Sequence, residues 1–200
     1  MIEWKSREDL PHVLNSLNLF GLGVEVGTQL AQYASRVRAA WKGEKLYCVD
    51  PWRAWGGDTT DDQYEAYFQR ARETMKAFPE KSWEFIRATS VSAATSGRFA
   101  HGSLDWVYVD ADHSYEAVKA DIAAWWPLIK SGGILAGHDW VSDGWHRNGE
   151  PFTAHEAPLS DGPCWQYGVR RAVAEEFLGP DSVTDETEDS GWQSWLVRKP

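Results

Sequence analysis

Cysteine is nearly absent from this chain. Cys48 and Cys164 are the two in 200 residues. They cannot build a disulfide framework, so stability must come from an apolar core, and the expected setting is a reducing cytoplasm. Long hydrophobic runs are missing as well. No stretch approaches the about 18 apolar residues of a membrane span, and the opening Met1-Ile2-Glu3-Trp4-Lys5-Ser6 is too polar for a signal peptide. Positive charge is scarce: 20 Lys and Arg face 30 Asp and Glu, a formal net charge of -10. That balance argues against nucleic acid or a membrane surface as partner. A Gly-x-Gly-x-x-Gly turn between strand and helix is also lacking, which disfavours a nicotinamide dinucleotide and a dehydrogenase.

Tryptophan, by contrast, is abundant at 13 residues. Most of these are expected to pack, although indoles also stack on flat or sugar-like ligands. The apolar periodicity alternates between strand and helix. Strands are expected over residues 19–26, 45–49, 83–88, 105–109 and 134–137. Helices are expected over 28–41, 63–78, 91–99, 115–129 and 168–178, with Thr60 capping the second. Two closing strands, 183–186 and 192–197, flank an acidic turn at Asp189-Ser190-Gly191 and are expected to pair antiparallel at a sheet edge. Residues 141–163 show no period and are expected to form a lid or acceptor-binding loop, with Trp145, His146, Arg147, His155 and Trp165 in reach of the acceptor. The chain is expected to be a single α/β domain over 1–200, a doubly wound Rossmann-like sheet with helices on both faces.

In such a sheet ligands bind beyond the carboxyl ends of the strands. The residues there are Glu25-Val26-Gly27-Thr28, Asp50-Pro51-Trp52, Thr89-Ser90, Asp110-Ala111-Asp112-His113 and His138-Asp139. An acid at Glu25 would repel a pyrophosphate but suits a cationic or amino group. Gly27 permits close backbone approach. Asp50 is placed to accept hydrogen bonds from two ribose hydroxyls, Trp52 to cover an adenine, and Ser90 to touch the base edge. These residues suggest a nucleoside with a positive amino-acid arm. Asp121 is expected to be a solvated helix-face residue.

The ordered set Val24-Glu25-Val26-Gly27-Thr28, Val49-Asp50-Pro51-Trp52, Val109-Asp110-Ala111-Asp112-His113 and Gly132-Gly133-Ile134-Leu135-Ala136-Gly137-His138-Asp139 resembles class I S-adenosylmethionine-dependent methyltransferases, and more closely methyltransferase family 24. The likeness covers roughly residues 18–140, and Gly168-Val169-Arg170-Arg171 extends it. It implies a seven-stranded sheet whose last strand is antiparallel. It further implies S-adenosylmethionine as cofactor, with Glu25 and Gly27 at the methionine arm and Asp50 at the ribose; Thr28, Trp52, Ser90 and Asp110 are the remaining candidates for that pocket.

The second half of the set is also similar to metal-dependent sugar O-methyltransferases. By that likeness Asp110 and Asp139 are metal ligands, for Mg2+ or Mn2+, and Asp112 is the general base; His138 offers a nitrogen as a further metal ligand beside them. His138 stands where those enzymes carry an acid, and a nitrogen donor shifts the preference from Mg2+ toward Mn2+ or softer ions. The residues themselves also allow a site without metal, in which His113 or His138 takes the proton. The expected function is methyl transfer to a hydroxyl of a small sugar or phenolic acceptor. A binding or regulatory protein that kept the cofactor pocket without turnover is the alternative. Monomer and homo-oligomer are both compatible with the sequence.

Overall fold

The computed structural model describes residues 4–54, 60–141, 143–147, 150–152, 164–184 and 192–200; for 145–147, 150–152 and 164–165 it describes the backbone. The main sheet has seven strands. They are β1 (Leu22–Val26), β2 (Lys45–Asp50), β3 (Trp83–Arg87), β4 (Leu104–Val109), β5 (Ile129–Gly137), β9 (Ser182–Val183) and β10 (Trp195–Arg198), in the order β3-β2-β1-β4-β5-β10-β9. The first five run parallel. β10 is antiparallel to both β5 and β9, as expected of the closing strands. The turn at Asp189-Ser190-Gly191 lies outside the described residues.

Period-two alternation sorts the strand side chains onto two faces. Leu46, Cys48, Trp106, Tyr108, Ile134 and Ala136 pack with residues of α1 (Leu10–Ser16), α2 (Gln32–Ala40) and α3 (Asp61–Met75). Val24, Val26, Val49, Val107, Val109 and Leu135 pack with residues of α4 (Ser90–Ala94), α5 (Tyr115–Trp125) and α6 (Val169–Phe177). Thr60 caps α3 by accepting from the Gln63 N–H at 3.3 Å. Cys48 is a free, buried thiol.

Some boundaries differ from expectation, each for a local reason. α2 begins at Gln32 rather than 28, because Gln29 and Ala31 adopt left-handed backbone at φ 46° and 57°. α5 stops at Trp125 and tightens into a 3-10 turn, Trp126–Leu128, in which Pro127 offers no N–H to continue the α-helix. β5 therefore starts at Ile129, with a register irregularity against β4 between Leu104 and Trp106. α1 has no counterpart in the sequence expectation.

Residues 141–163 are only partly the irregular segment expected. β6 (Gly144–Arg147) pairs antiparallel with β7 (Glu150–Phe152) and with β8 (Cys164–Tyr167), giving a second, three-stranded sheet in the order β7-β6-β8. Backbone pairing of this kind needs no apolar periodicity, and so left no mark in the sequence pattern. No helix among the described residues is long and apolar enough to cross a membrane.

Candidate active site

Four neighbouring strands end level. Val26 of β1 lies opposite Val49 of β2 and Val109 of β4, and Val109 lies opposite Gly137 of β5. The backbone ladder runs one step further: Gly27 N–H donates to Val49 O at 2.8 Å, Asp110 N–H to Val26 O at 2.8 Å, and His138 N–H to Val109 O at 3.0 Å. Gly27, Asp50, Asp110 and His138 thus emerge side by side at the carboxyl edge. The expected convergence of the turns follows from this register.

At the β1–β2 end, Asp50 is almost buried and accepts two backbone N–H bonds, Gln29 N to Oδ2 at 2.9 Å and Trp52 N to Oδ1 at 2.7 Å. Burial pushes its pKa up, and these two bonds pull it back. Each oxygen keeps a lone pair, so the carboxylate is oriented and still able to accept from a diol. Glu25 is 3% exposed, and its Oε2 accepts from Thr28 Oγ1 at 2.8 Å. Burial drives its pKa to about 8, the Thr28 bond opposes that, and the charge of Asp110 adds to it. A cation set against this carboxyl would stabilise its charged form. Gly27 has φ +90°, and a Cβ there would collide with the Asp110 carbonyl. The close approach that this glycine permits is therefore to the chain's own β4 turn.

At the β4–β5 end, Asp139 lies between two imidazoles. His113 Nδ1 stands 2.6 Å from Asp139 Oδ2, and His138 Nδ1 stands 2.8 Å from Oδ1. Burial works against ionisation of Asp139, but these two hydrogen bonds overcome it and hold its pKa far below the ordinary carboxylate value. For His113, burial favours the neutral ring. The bond to Asp139 and the charges of Asp139, Asp110 and Asp112 outweigh that and raise its pKa. Its ring stacks on Tyr167 at 5.3 Å between centroids, with 15° between the planes. Asp110 stands 3.9 Å from His138 Nδ1; burial pushes its pKa up.

The structure departs from the expected roles at several residues. Asp112 is exposed, and its Oδ1 accepts from the Ser114 N–H at 2.8 Å, which makes it a turn and helix-start residue rather than a base held against the crevice. Trp52 is 1% exposed, lies against Phe68 and Phe85, and donates from Nε1 to Gln29 O at 2.8 Å. It packs in the core, where its ring has no free face for an adenine. Ser90 Oγ accepts from Trp125 Nε1 at 2.9 Å and also bonds Asp121, so it is engaged with α5 instead of facing the crevice. Asp121 itself is 4% exposed, not solvated, because that face of α5 packs toward α4.

Of the expected metal ligands, Asp110 and Asp139 come together, but the third member of the cluster is His113 rather than His138, and its groups are already engaged. Asp110, His113 and Asp139 each offer one ligand atom, all within 4.8 Å of one another. Both oxygens of Asp139, however, face imidazole N–H donors, and Asp110 faces the guanidinium of Arg7 at 3.6 Å. These inward-pointing donors repel a cation. A hard ion such as Mg2+ needs oxygens free of such donors, so as arranged the cluster does not fit it.

Two residues of the site were missed from sequence. Tyr167, at the end of β8, covers one face of His113, and the next residue ties the same turn down through Gly168 N–H to His113 O at 2.9 Å. Gly168 lies in the stretch that extended the family likeness, which was the available signal. Arg7 lies in a 3-10 turn, Arg7–Asp9, ahead of the first helix, and nothing in its spacing marked it. The side chains of Trp145, His146, Arg147 and Trp165, and all of His155, lie outside the described residues.

The model of a methyltransferase domain family matches residues 21–140. No curated protein matches the sequence. Among solved structures, the chain is similar to a Klebsiella pneumoniae protein named provisionally as an O-methyltransferase (TM-score 0.64, 14% identity, 97% of this chain and 80% of that one). It is similar to the 1,6-didemethyltoxoflavin-N1-methyltransferase of Burkholderia thailandensis (TM-score 0.58, 12% identity, 96% and 76%). A third is the N-methyltransferase NodS of Bradyrhizobium japonicum (TM-score 0.55, 14% identity, 96% and 95%). At these identities the likeness shows the fold.

Proposed function

Because this chain belongs to the methyltransferase domain family, we propose that it transfers a methyl group from S-adenosylmethionine to a hydroxyl of a small sugar or phenolic acceptor, with His113 as proton acceptor. The observation that carries this is the sharing of one sheet edge by Asp50, Glu25 and the His113–Asp139 pair, on strands that end level. The toxoflavin enzyme of the same fold, which holds S-adenosylhomocysteine, supports the choice of cofactor.

S-adenosylmethionine, when bound, supplies an electrophilic methyl on a sulfonium. Asp50, already oriented by Gln29 and Trp52, accepts from the ribose hydroxyls. Glu25 answers the positive amino end of the arm. His113 carries its Nδ1 hydrogen toward Asp139, which leaves Nε2 as the acceptor. The acceptor's oxygen forms the new O–C bond as the S–C bond breaks, and its proton passes to Nε2. The resulting imidazolium is stabilised by Asp139, and the proton then leaves to water. An alcohol or phenol needs such a base, and an imidazole held by a buried carboxylate provides one near neutral pH. This supports oxygen as the methylated atom.

Calorimetry with S-adenosylhomocysteine tests the cofactor half. Micromolar binding is expected, weakened about 100-fold or more in Asp50→Ala by loss of charge-assisted hydrogen bonds to the ribose. Supplying S-adenosylmethionine with matched sugars, phenols and amines tests the other half. Transfer confined to amines would overturn the oxygen assignment.

A further inference from the structure

We propose that Arg7 binds the α-carboxylate of the cofactor's methionine arm and so selects a zwitterionic arm over one lacking that group. The proposal rests on the S-adenosylmethionine site argued above and adds a residue to it.

Arg7 is held in place from several sides. Asp9 Oδ2 accepts from the backbone N–H groups of Lys5 and Ser6, each at 3.0 Å, and so closes the turn that carries Arg7. Tyr33 of α2 donates its hydroxyl to Arg7 O at 2.9 Å, and the guanidinium lies over the Tyr33 ring at 5.1 Å from its centroid. These contacts deliver a side chain only 17% exposed to the edge formed by β1 and β4. Such anchoring is more than a surface arginine needs.

Its hydrogen-bonding capacity is nevertheless little used. Nη1 stands 3.6 Å from Asp110 Oδ2, an ion-pair distance too long for a good hydrogen bond. Nε is buried and has no hydrogen-bond partner among the described residues; Glu8 Oε1 is 3.8 Å from it. A buried donor without a partner is costly, and a planar guanidinium fork is shaped for a carboxylate. Arg7 is also near enough to Glu25 for the two charges to interact. One acid and one guanidinium at the same strand ends complement an ammonium and a carboxylate borne on a single carbon. No other buried cation among the described residues lies at this edge with an orphaned N–H.

The test is a binding cycle, run by calorimetry on the full chain with S-adenosylmethionine and decarboxylated S-adenosylmethionine, which differ by the carboxylate alone. The wild-type protein is expected to prefer the carboxylated form by about 10- to 100-fold, the range of a charge-assisted pair. Arg7→Gln should lose that preference by weakening S-adenosylmethionine while leaving the decarboxylated form within twofold. Arg7→Lys, which keeps the charge but not the fork, should fall between. Retained binding of the decarboxylated form also shows that each variant is folded. Equal weakening of both ligands, or no change in either, would overturn the proposal; the first would make Arg7 a positioning residue acting through Asp110. If the wild-type protein binds neither ligand, the cofactor assignment itself fails.

Discussion

His113 Nδ1 and Asp139 Oδ2 are 2.6 Å apart, a buried carboxylate fixing the tautomer of a partly exposed imidazole. In the proposed mechanism Asp139 orients the ring, and Nε2 takes the acceptor's proton. His113→Gln is therefore expected to lower the transfer rate about 100-fold or more, the usual worth of a positioned general base, with S-adenosylhomocysteine affinity unchanged. Asp139→Asn should lower the rate in the same direction. Because both Asp139 oxygens already face N–H donors, exhaustive treatment with a chelator should leave the rate within twofold. Loss of activity on chelation, with recovery on adding Mn2+, would replace the imidazole with a metal.

Gly27 and Asp110 touch through backbone alone. A side chain at 27 meets the Asp110 carbonyl and must also accept φ +90°. Gly27→Ala should cost about 2–6 kcal/mol, combining left-handed strain with overlap in a region that cannot relax. Urea unfolding would read this as a fall in midpoint at unchanged slope. A variant as stable as the parent would show that the two turns can separate.

Asp121 gives a pH-dependent prediction. It is buried against Ser90, and burial raises its pKa from 3.8 to about 6. A raised acid pKa means that the folded state holds a proton which the unfolded state releases. The Asp121 contribution to stability should therefore be greatest below 3.8, fall as pH rises from there to about 6, and stay at the lower level above. Asp121→Asn removes the penalty. It should stabilise the protein at pH 7 by up to about 3 kcal/mol, two pK units at 1.36 kcal/mol each, and give no gain near pH 3. Paired denaturation curves at the two pH values check this, and an equal effect at both would show that Asp121 does not titrate in this window.

Strand-end acids were legible because their position needs only local pattern. An apolar run that stops at Asp50, Asp110 or His138 points that residue at the carboxyl edge whatever the rest of the chain does. Trp52 and Ser90 occupy the same kind of turn, and the same logic places them at the cofactor. Their side chains instead turn toward Phe68, Phe85 and Trp125, a choice made by neighbours far away in sequence. Asp121 looked solvated because helix periodicity reports which residues are polar, and a polar residue can still be buried against a packed hydroxyl. Arg7 left no pattern, being one cation in an irregular segment.

What the sequence determined by itself was the alternation of strands and helices, the parallel sheet it requires, and the acids at its carboxyl edge, because each follows from periodicity and chain connectivity. The tertiary structure alone decided which of those groups meet. It brought His113 from the β4 turn onto Asp139 after β5, Tyr167 from β8 onto His113, and Arg7 from ahead of the first helix onto Asp110. Those partners depend on register, left-handed turns and packing between distant segments, and no local pattern in a single chain encodes them.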